Sequence, residues 1–183
     1  MKREKLNPLQ PVAVLPVKTS EGTFIARYSE KGLTVLEFPS SEGNGSAEHA
    51  YSPPPPLIRQ WHRVTALALK RALSGRAARV LPPLDLSAGT GFQQRVWQVL
   101  LKIPKGGTRS YGEVARAVGN RRGSRAVGAA CGANPIPVFV PCHRVLAANR
   151  KLGGYSGGSD WKRKLLWREE VRDWWRNGEA IPD

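Results

Sequence analysis

Three prolines, Pro135, Pro137 and Pro141, interrupt the apolar run at residues 134–145 (NPIPVFVPCHRV), and this limits what the chain around it can build. Proline fixes φ and has no N–H to give to a sheet ladder, so the run is a poor central strand. It reads instead as a rigid extended arm that presents one thiol, Cys142, with His143 and Arg144 directly behind it. A thiol attacks as thiolate, and nearby imidazole or cationic groups raise the thiolate fraction. On these residues alone two readings stand level. Cys142 is either an activated nucleophile or a small apolar core residue, as most free cysteines are.

The 183 residues provide enough chain for one large domain or two small ones with a real core. The first ten residues are charged and polar, with no apolar segment of signal-peptide length behind them, and no stretch approaches the roughly 18 apolar residues of a membrane helix. The two cysteines, Cys131 and Cys142, form neither a CxxC pair nor a disulfide framework, so an intracellular, reduced protein is expected. The net charge of +15 is unevenly spread. Residues 91–150 hold ten Lys and Arg against one acid, Glu113, whereas residues 1–83 hold twelve against six. Such a concentration is the footprint of a polyanion binder. The plain alternative is a basic protein kept soluble by its charge.

Strand-like alternation at 12–15, 23–28 and 33–38, separated by Glu21-Gly22 and Glu30-Lys31-Gly32, predicts a β-meander. Residues 39–56 are a low-complexity loop ending in four prolines, a mobile connection by composition. Apolar residues then recur at three and four from Leu57 to Ala68, predicting an amphipathic helix to about Ala72. Residues 1–84 form a first domain by this pattern and 85–183 a second. His49 and His62 lack metal-ligand spacing and have no cysteine nearby, so no metal and no cofactor are expected.

In the second domain a helix is predicted over about 91–101. Ser110, with Glu113 three residues on, has capping-box spacing for a helix over 111–118, and another helix follows over about 122–133. Two short helices about a Gly-containing turn, the second basic at its start, have the layout of a helix-turn-helix. The second is rich in small residues: Ala126, Gly128, Ala129, Ala130, Gly132 and Ala133. That composition suits either tight packing in a core or close approach to a DNA minor groove. Beyond Gly153-Gly154 and Gly157-Gly158, Ser159 or Asp160 is placed to cap a last helix, with Lys162, Arg163, Lys164 and Arg168 around it and Trp174 and Trp175 docking the tail.

Pro141-Cys142-His143-Arg144-Val145, preceded by Arg125-Ala126-Val127-Gly128 and Asn134-Pro135 and followed by Tyr155-Ser156-Gly157-Gly158, strongly resembles the O6-alkylguanine-DNA alkyltransferases, also called methylated-DNA–protein-cysteine methyltransferases. The similarity is nearly continuous from about Gly91 to Glu170 and weaker around Thr19–Gly22 and 30–38. It implies an α+β protein, with an N-terminal ribonuclease-H-like domain followed by a winged-helix, helix-turn-helix-like domain that carries the thiol. It also implies DNA repair: an O6-alkylguanine is flipped out of duplex DNA, and the thiol takes the alkyl group once, with no regeneration. Acceptance of O4-alkylthymine is left open.

The resemblance distributes roles. Cys142 is the nucleophile, His143 takes its proton through a water, Glu169 in the last helix orients that histidine, and Tyr111 donates to the departing base. Pro137, the Val145 carbonyl, Tyr155 and the Ser156 N–H line the alkylguanine pocket. Arg125 fills the vacated stack while Ala126, Gly128 and Ala129 face the minor groove, and Asn134 buttresses the turn into the arm. Arg95, Lys105, Arg121 and Arg122 are phosphate-contact candidates. The expected partner is double-stranded DNA with an alkylated guanine and not a membrane. The protein is expected to be a monomer in the cytoplasm, or in the nucleus of a eukaryote, with cooperative loading on DNA left open.

Some features depart from the family pattern. Ala133 stands where many members carry a basic or polar residue, and the metal ligands that some members hold in the first domain are absent. Cys131 lies off the motif and reads as packing, and residues 1–10, 39–56 and 173–183 have no clear counterpart. Two alternatives carry the same scaffold. Lesion sensors replace the cysteine, usually with tryptophan, and Cys142 argues against that; regulators of the family carry a further sensor module. A thiol hydrolase would need an oxyanion-hole motif.

Overall fold

The structure is a computed structural model and describes residues 11–40 and 53–171. Strands β1 (Ala13–Thr19), β2 (Gly22–Ser29) and β3 (Gly32–Glu37) form the antiparallel meander that the alternation predicts, with a bulge between Arg27 and Tyr28. Its two tight turns need positive φ at Gly22 and Gly32, a conformation open to glycine without a Cβ clash. Helix α1 (Pro56–Leu73) buries Ile58, Thr65, Ala68, Leu69 and Leu73, and the phenol of Tyr28 on β2 bonds Thr65 Oγ1 at 2.9 Å and His62 Nδ1 at 3.1 Å. Proline at the start of α1 meets no penalty, because the first N–H groups of a helix have no partner inside it.

A bridge between Leu33 and Leu84 ties the end of this unit to the sheet, and the chain then enters α2 (Gly91–Leu101) through a capping box made by Thr90 and Gln93. Helix α3 (Tyr111–Ala117) starts at the Ser110–Glu113 capping box expected from their spacing. Helix α4 (Ser124–Gly132) begins two residues later than the sequence suggested. Gly123 is its first flanking residue, which leaves Arg121 and Arg122 in the turn. The last helix, α5 (Ser159–Arg168), has no side-chain cap: Gly158 at φ 87° precedes it, so Ser159 and Asp160 lie inside the first turn. The two-residue strands β4 (Arg109–Ser110) and β5 (Val145–Leu146) pair in parallel beneath the cysteine.

The run at 134–141 is not the extended arm its prolines suggested. It coils through turns, with Val140 N–H on Ile136 O at 2.9 Å and Val138 at φ 75°. Asn134 makes this compact form possible: its carbonyl oxygen accepts from Ile136 N–H at 3.1 Å and its amide donates to Val140 O at 2.8 Å. Both sides of the segment's backbone are satisfied within a few residues, so the prolines, which cannot donate, cost nothing there. The meander braces it from outside, Leu36 N–H reaching Pro135 O at 2.9 Å.

Core residues of the meander and α1 belong to one apolar cluster with those of α2, α4 and the cysteine segment. Phe24 and Phe38 pack on Trp161 with ring centroids 5.5 and 4.8 Å apart. Gly157 is required at this seam, because a Cβ there would lie 2.5 Å from the Phe38 ring. Trp174 and Trp175, His49, the first ten residues and most of the 39–56 loop lie outside the described residues.

Candidate functional site

Cys142 opens a single 3-10 turn (Cys142–Arg144) that the Pro141 backbone introduces, and its side chain is 3% exposed. Burial pushes the thiol above its ordinary value, while a hydrogen bond from Asn134 Nδ2 at 3.1 Å and the positive charge of Lys162 oppose that rise. Asn134 therefore shapes the segment with its carbonyl and touches the sulfur with its amide.

His143, next along the turn, points away from solvent with its Nε2 3.0 Å from Glu169 Oε1. Glu169 stands just past the end of α5 rather than within it. It also accepts two hydrogen bonds from Arg144, from Nη2 at 2.8 Å and Nε at 2.9 Å, while Arg144 Nη1 donates to Ile103 O. Burial favours the neutral acid, but the bonds from His143 and Arg144 outweigh it and hold the carboxyl at about 2. Burial lowers His143 below its ordinary value, with Glu169 partly offsetting this, so the imidazole is neutral at pH 7. The chemistry then assigns its tautomer. An ionised carboxylate only accepts, so Nε2 carries the hydrogen and Nδ1 holds the free lone pair. That Nδ1 is buried and bonds no described residue.

A cavity of about 380 Å³ opens over the thiol, lined by Tyr111, Gly128, Cys131, Cys142, Tyr155 and Ser156, together with Gly132 and Gly154. Burial pushes the Tyr111 phenol up to about 12, and its hydroxyl has only a long contact, 3.5 Å, to Gly154 O. It is neutral, and ready to donate to whatever enters. Tyr155 is raised well above its ordinary value by burial and stacks edge-on to His143 at 6.4 Å. Of the predicted pocket residues, Tyr155 and Ser156 line the cavity. Pro137 and Val145 are buried but do not line it, and the Val145 carbonyl faces Lys162 instead.

Helix α4 passes the mouth of the cavity and divides its small residues between two faces. Val127, Ala130 and Cys131 are buried, Ala130 under Trp97, whose Nε1 donates to the Ala130 carbonyl at 2.9 Å. Arg125, Ala126 and Ala129 are exposed, with Gly128 at the cavity edge. The sequence left open tight packing or close approach to a groove; the helix packs one face in the core and leaves the other exposed. Among the described residues no cluster of His, Cys, Asp and Glu could hold a metal ion, and no helix is long and apolar enough to cross a membrane.

The family model described as 6-O-methylguanine DNA methyltransferase, DNA binding domain, matches residues 91–171. A methylated-DNA–protein-cysteine methyltransferase of Mycobacterium bovis is 58% identical over 89 residues, 49% of this chain and 53% of that protein, so the matched stretch spans about half of that relative. One from Methanosarcina barkeri is 38% identical over 159 residues, 84% of this chain and 94% of the relative. The chain belongs to the methylated-DNA–protein-cysteine methyltransferase family. The crystal structure of Mycobacterium tuberculosis OGT in complex with DNA shares the mixed α/β fold, with a TM-score of 0.68 at 38% identity over 85% of this chain and 91% of that one.

Two residues of this methyltransferase-family site escaped the sequence reading. The sequence names Lys162 only among the basic residues around the last helix, yet it is 0% exposed. Its Nζ donates to the carbonyls of Val145 at 2.7 Å, Leu152, and Gly154 at 3.4 Å. It thereby ties β5 to the loop that carries Tyr155 and Ser156. Arg144 was noted only as a neighbour of the thiol, and its bidentate grip on Glu169 was not foreseen. One sequence signal was available for Lys162: it falls at helical spacing with Leu165 and Leu166 on the face that α5 buries.

Proposed function

We propose that this protein repairs O6-alkylguanine in duplex DNA by a single, direct transfer of the alkyl group to Cys142. The observation that carries the reading is the thiol at the floor of a cavity bounded by α4, Tyr111 and the Tyr155–Ser156 loop, with a neutral histidine and an ionised carboxylate behind it. In the proposed reaction a flipped guanine enters the cavity with its O6-alkyl carbon toward Sγ. The S–C bond forms as the C–O6 bond breaks, and the electron pair leaves with the base. The thiol proton passes through a water to His143 Nδ1, and Glu169 stabilises the imidazolium that results. The Tyr111 phenol gives a hydrogen bond, or its proton, to the guanine as charge develops on it. A thioether does not leave again, so each molecule acts once.

Within this reading Arg125 fills the stack that the flipped base vacates, and Ala126, Gly128 and Ala129 allow the α4 backbone to approach the minor groove. The exposure of Arg125, Ala126 and Ala129, with Gly128 at the cavity edge, supports that assignment. Pro137 stiffens the wall from behind, and the Val145 carbonyl reads the guanine amine only if Lys162 shares it. We assign residues 1–84 to a ribonuclease-H-like domain and 85–183 to a winged-helix-like domain. The protein works as a cytoplasmic monomer on double-stranded DNA, without a cofactor. The test is to incubate it with duplex DNA carrying a labelled O6-methylguanine and to map the label by peptide mass. One label per molecule on Cys142 is expected; repeated turnover, or DNA bound with Cys142 unmodified, refutes the proposal.

A further inference from the structure

Helix α1 carries a face that the proposed repair reaction does not use. Residues 53–84 contain six Lys and Arg and no Asp or Glu. At ~100° per residue, Arg59, Arg63 and Lys70 fall within about 40° of one another, forming one stripe roughly 16 Å long. All three side chains are exposed, and none of them enters an ion pair among the described residues. Arg59 and Arg63 are four apart and repel one another. Arg59 also lies in the first turn of α1, where no acid offsets it and the helix dipole disfavours a cation. Internal stability of the helix accounts for Lys70, which sits in the last turn where the dipole favours a cation, but not for Arg59 and Arg63.

Further cations lie beyond the end of the helix. Arg76, from the N-terminal unit, and Lys105, from the loop between α2 and β4, line one cavity of about 240 Å³. The carboxylate in that cavity, Glu169, is already held by Arg144 and His143.

We propose that this face of α1 binds the phosphate backbone of a stretch of duplex DNA beyond the one that α4 approaches. One strand of a duplex advances ~3.4 Å per phosphate, so about five phosphates pass along the stripe, enough to satisfy three cations. Arg59 and Arg63 have forked guanidinium groups suited to phosphate oxygens. A lipid surface is disfavoured because α1 packs its apolar face on the sheet, and its exposed large apolar residues, Leu57 and Leu67, stand ~15 Å apart along the helix and form no continuous face to insert. The proposal rests on the DNA-repair reading only for the source of the phosphates; its readout does not require alkyl transfer.

The experiment uses the full chain and a triple variant, Arg59→Gln with Arg63→Gln and Lys70→Gln. Binding to unmodified duplexes of about one and about three helical turns is measured against salt. On the longer duplex the slope of log K against log salt is expected to fall in magnitude by about 2.7, which is ~0.9 for each of three lost contacts. On the one-turn duplex it is expected to stay unchanged, as are the melting temperature and the reaction with a free alkylated guanine base. An unchanged slope on the longer duplex overturns the proposal. So does an equal fall on both lengths, which would place the three residues within the α4 footprint. Salt-dependent binding to anionic vesicles that the variant abolishes, with both DNA slopes intact, would assign the face to lipid and overturn it equally.

Discussion

Replacing Glu169 with glutamine removes one charge from the buried cluster while keeping its shape. The carboxylate accepts three hydrogen bonds, one from His143 and two from Arg144, and is 9% exposed. Because His143 is neutral at pH 7, Arg144 is the cation that balances it. The amide has one accepting oxygen where the carboxylate had two. If that oxygen turns to Arg144, its N–H groups face His143 Nε2, the imidazole reverses its tautomer, and Nδ1 can no longer take a proton. If it turns to His143, the tautomer survives but the imidazolium loses its counter-charge, and half-buried Arg144 loses a partner.

Either way the transfer rate at pH 7 is expected to fall by roughly 10²–10⁴, the range of a general base. The acid limb of the pH–rate profile moves to lower pH, because Glu169 is the group that raises His143 against burial. The carboxyl is held at about 2 against an ordinary 4.5, worth about 3 kcal/mol of stability at ~1.36 kcal/mol per unit. A depressed folded-state value means that this contribution is complete above about 4.5 and is lost as pH falls through about 2. Single-turnover transfer from labelled duplex over about pH 5–9, paired with acid unfolding, reads both effects. A variant with the wild-type rate, limb and acid midpoint would refute the argument that Glu169 orients and charges the histidine.

Two further substitutions separate other parts of the site. Arg125→Ala should slow repair in duplex DNA by at least about tenfold, since base extrusion costs a few kcal/mol that the arginine helps to offset, yet leave reaction with a free alkylated guanine base unchanged. Equal losses on both substrates would reject its role in the stack. Lys162→Met keeps the length of the stem but leaves the Val145 and Leu152 carbonyls without their buried donor, at about 1–3 kcal/mol each. Urea unfolding should show a loss of about 2–5 kcal/mol, with slower transfer as the Tyr155 loop loosens; a change under ~0.5 kcal/mol would mean that the loop holds without it.

Much of the fold was legible because its signals are local. Alternation at 23–28 and 33–38, the Ser110–Glu113 box and the apolar face of α1 each depend on neighbours a few residues away, and each element formed where expected. The ordered motifs around Cys142 also marked the thiol, since their residue types and spacing carry the family resemblance by themselves. Residue types alone misled where side-chain hydrogen bonds, near or far in sequence, decide the structure. The prolines predicted an extended arm, but Asn134 supplies the bonds that let the segment coil. In the sequence Lys162 has no role beyond its place among the basic residues around α5, but carbonyls from β5 and the loop before Tyr155, up to 17 residues away, converge on its ammonium group. Glu169 meets Arg144 and His143, 25 and 26 residues earlier, only because the end of α5 returns to the turn that carries Cys142. The amino-acid order alone thus determined which groups are present and which short elements hold them. Burial, and with it the protonation states on which the chemistry runs, was decided only when distant segments closed over those groups and excluded water.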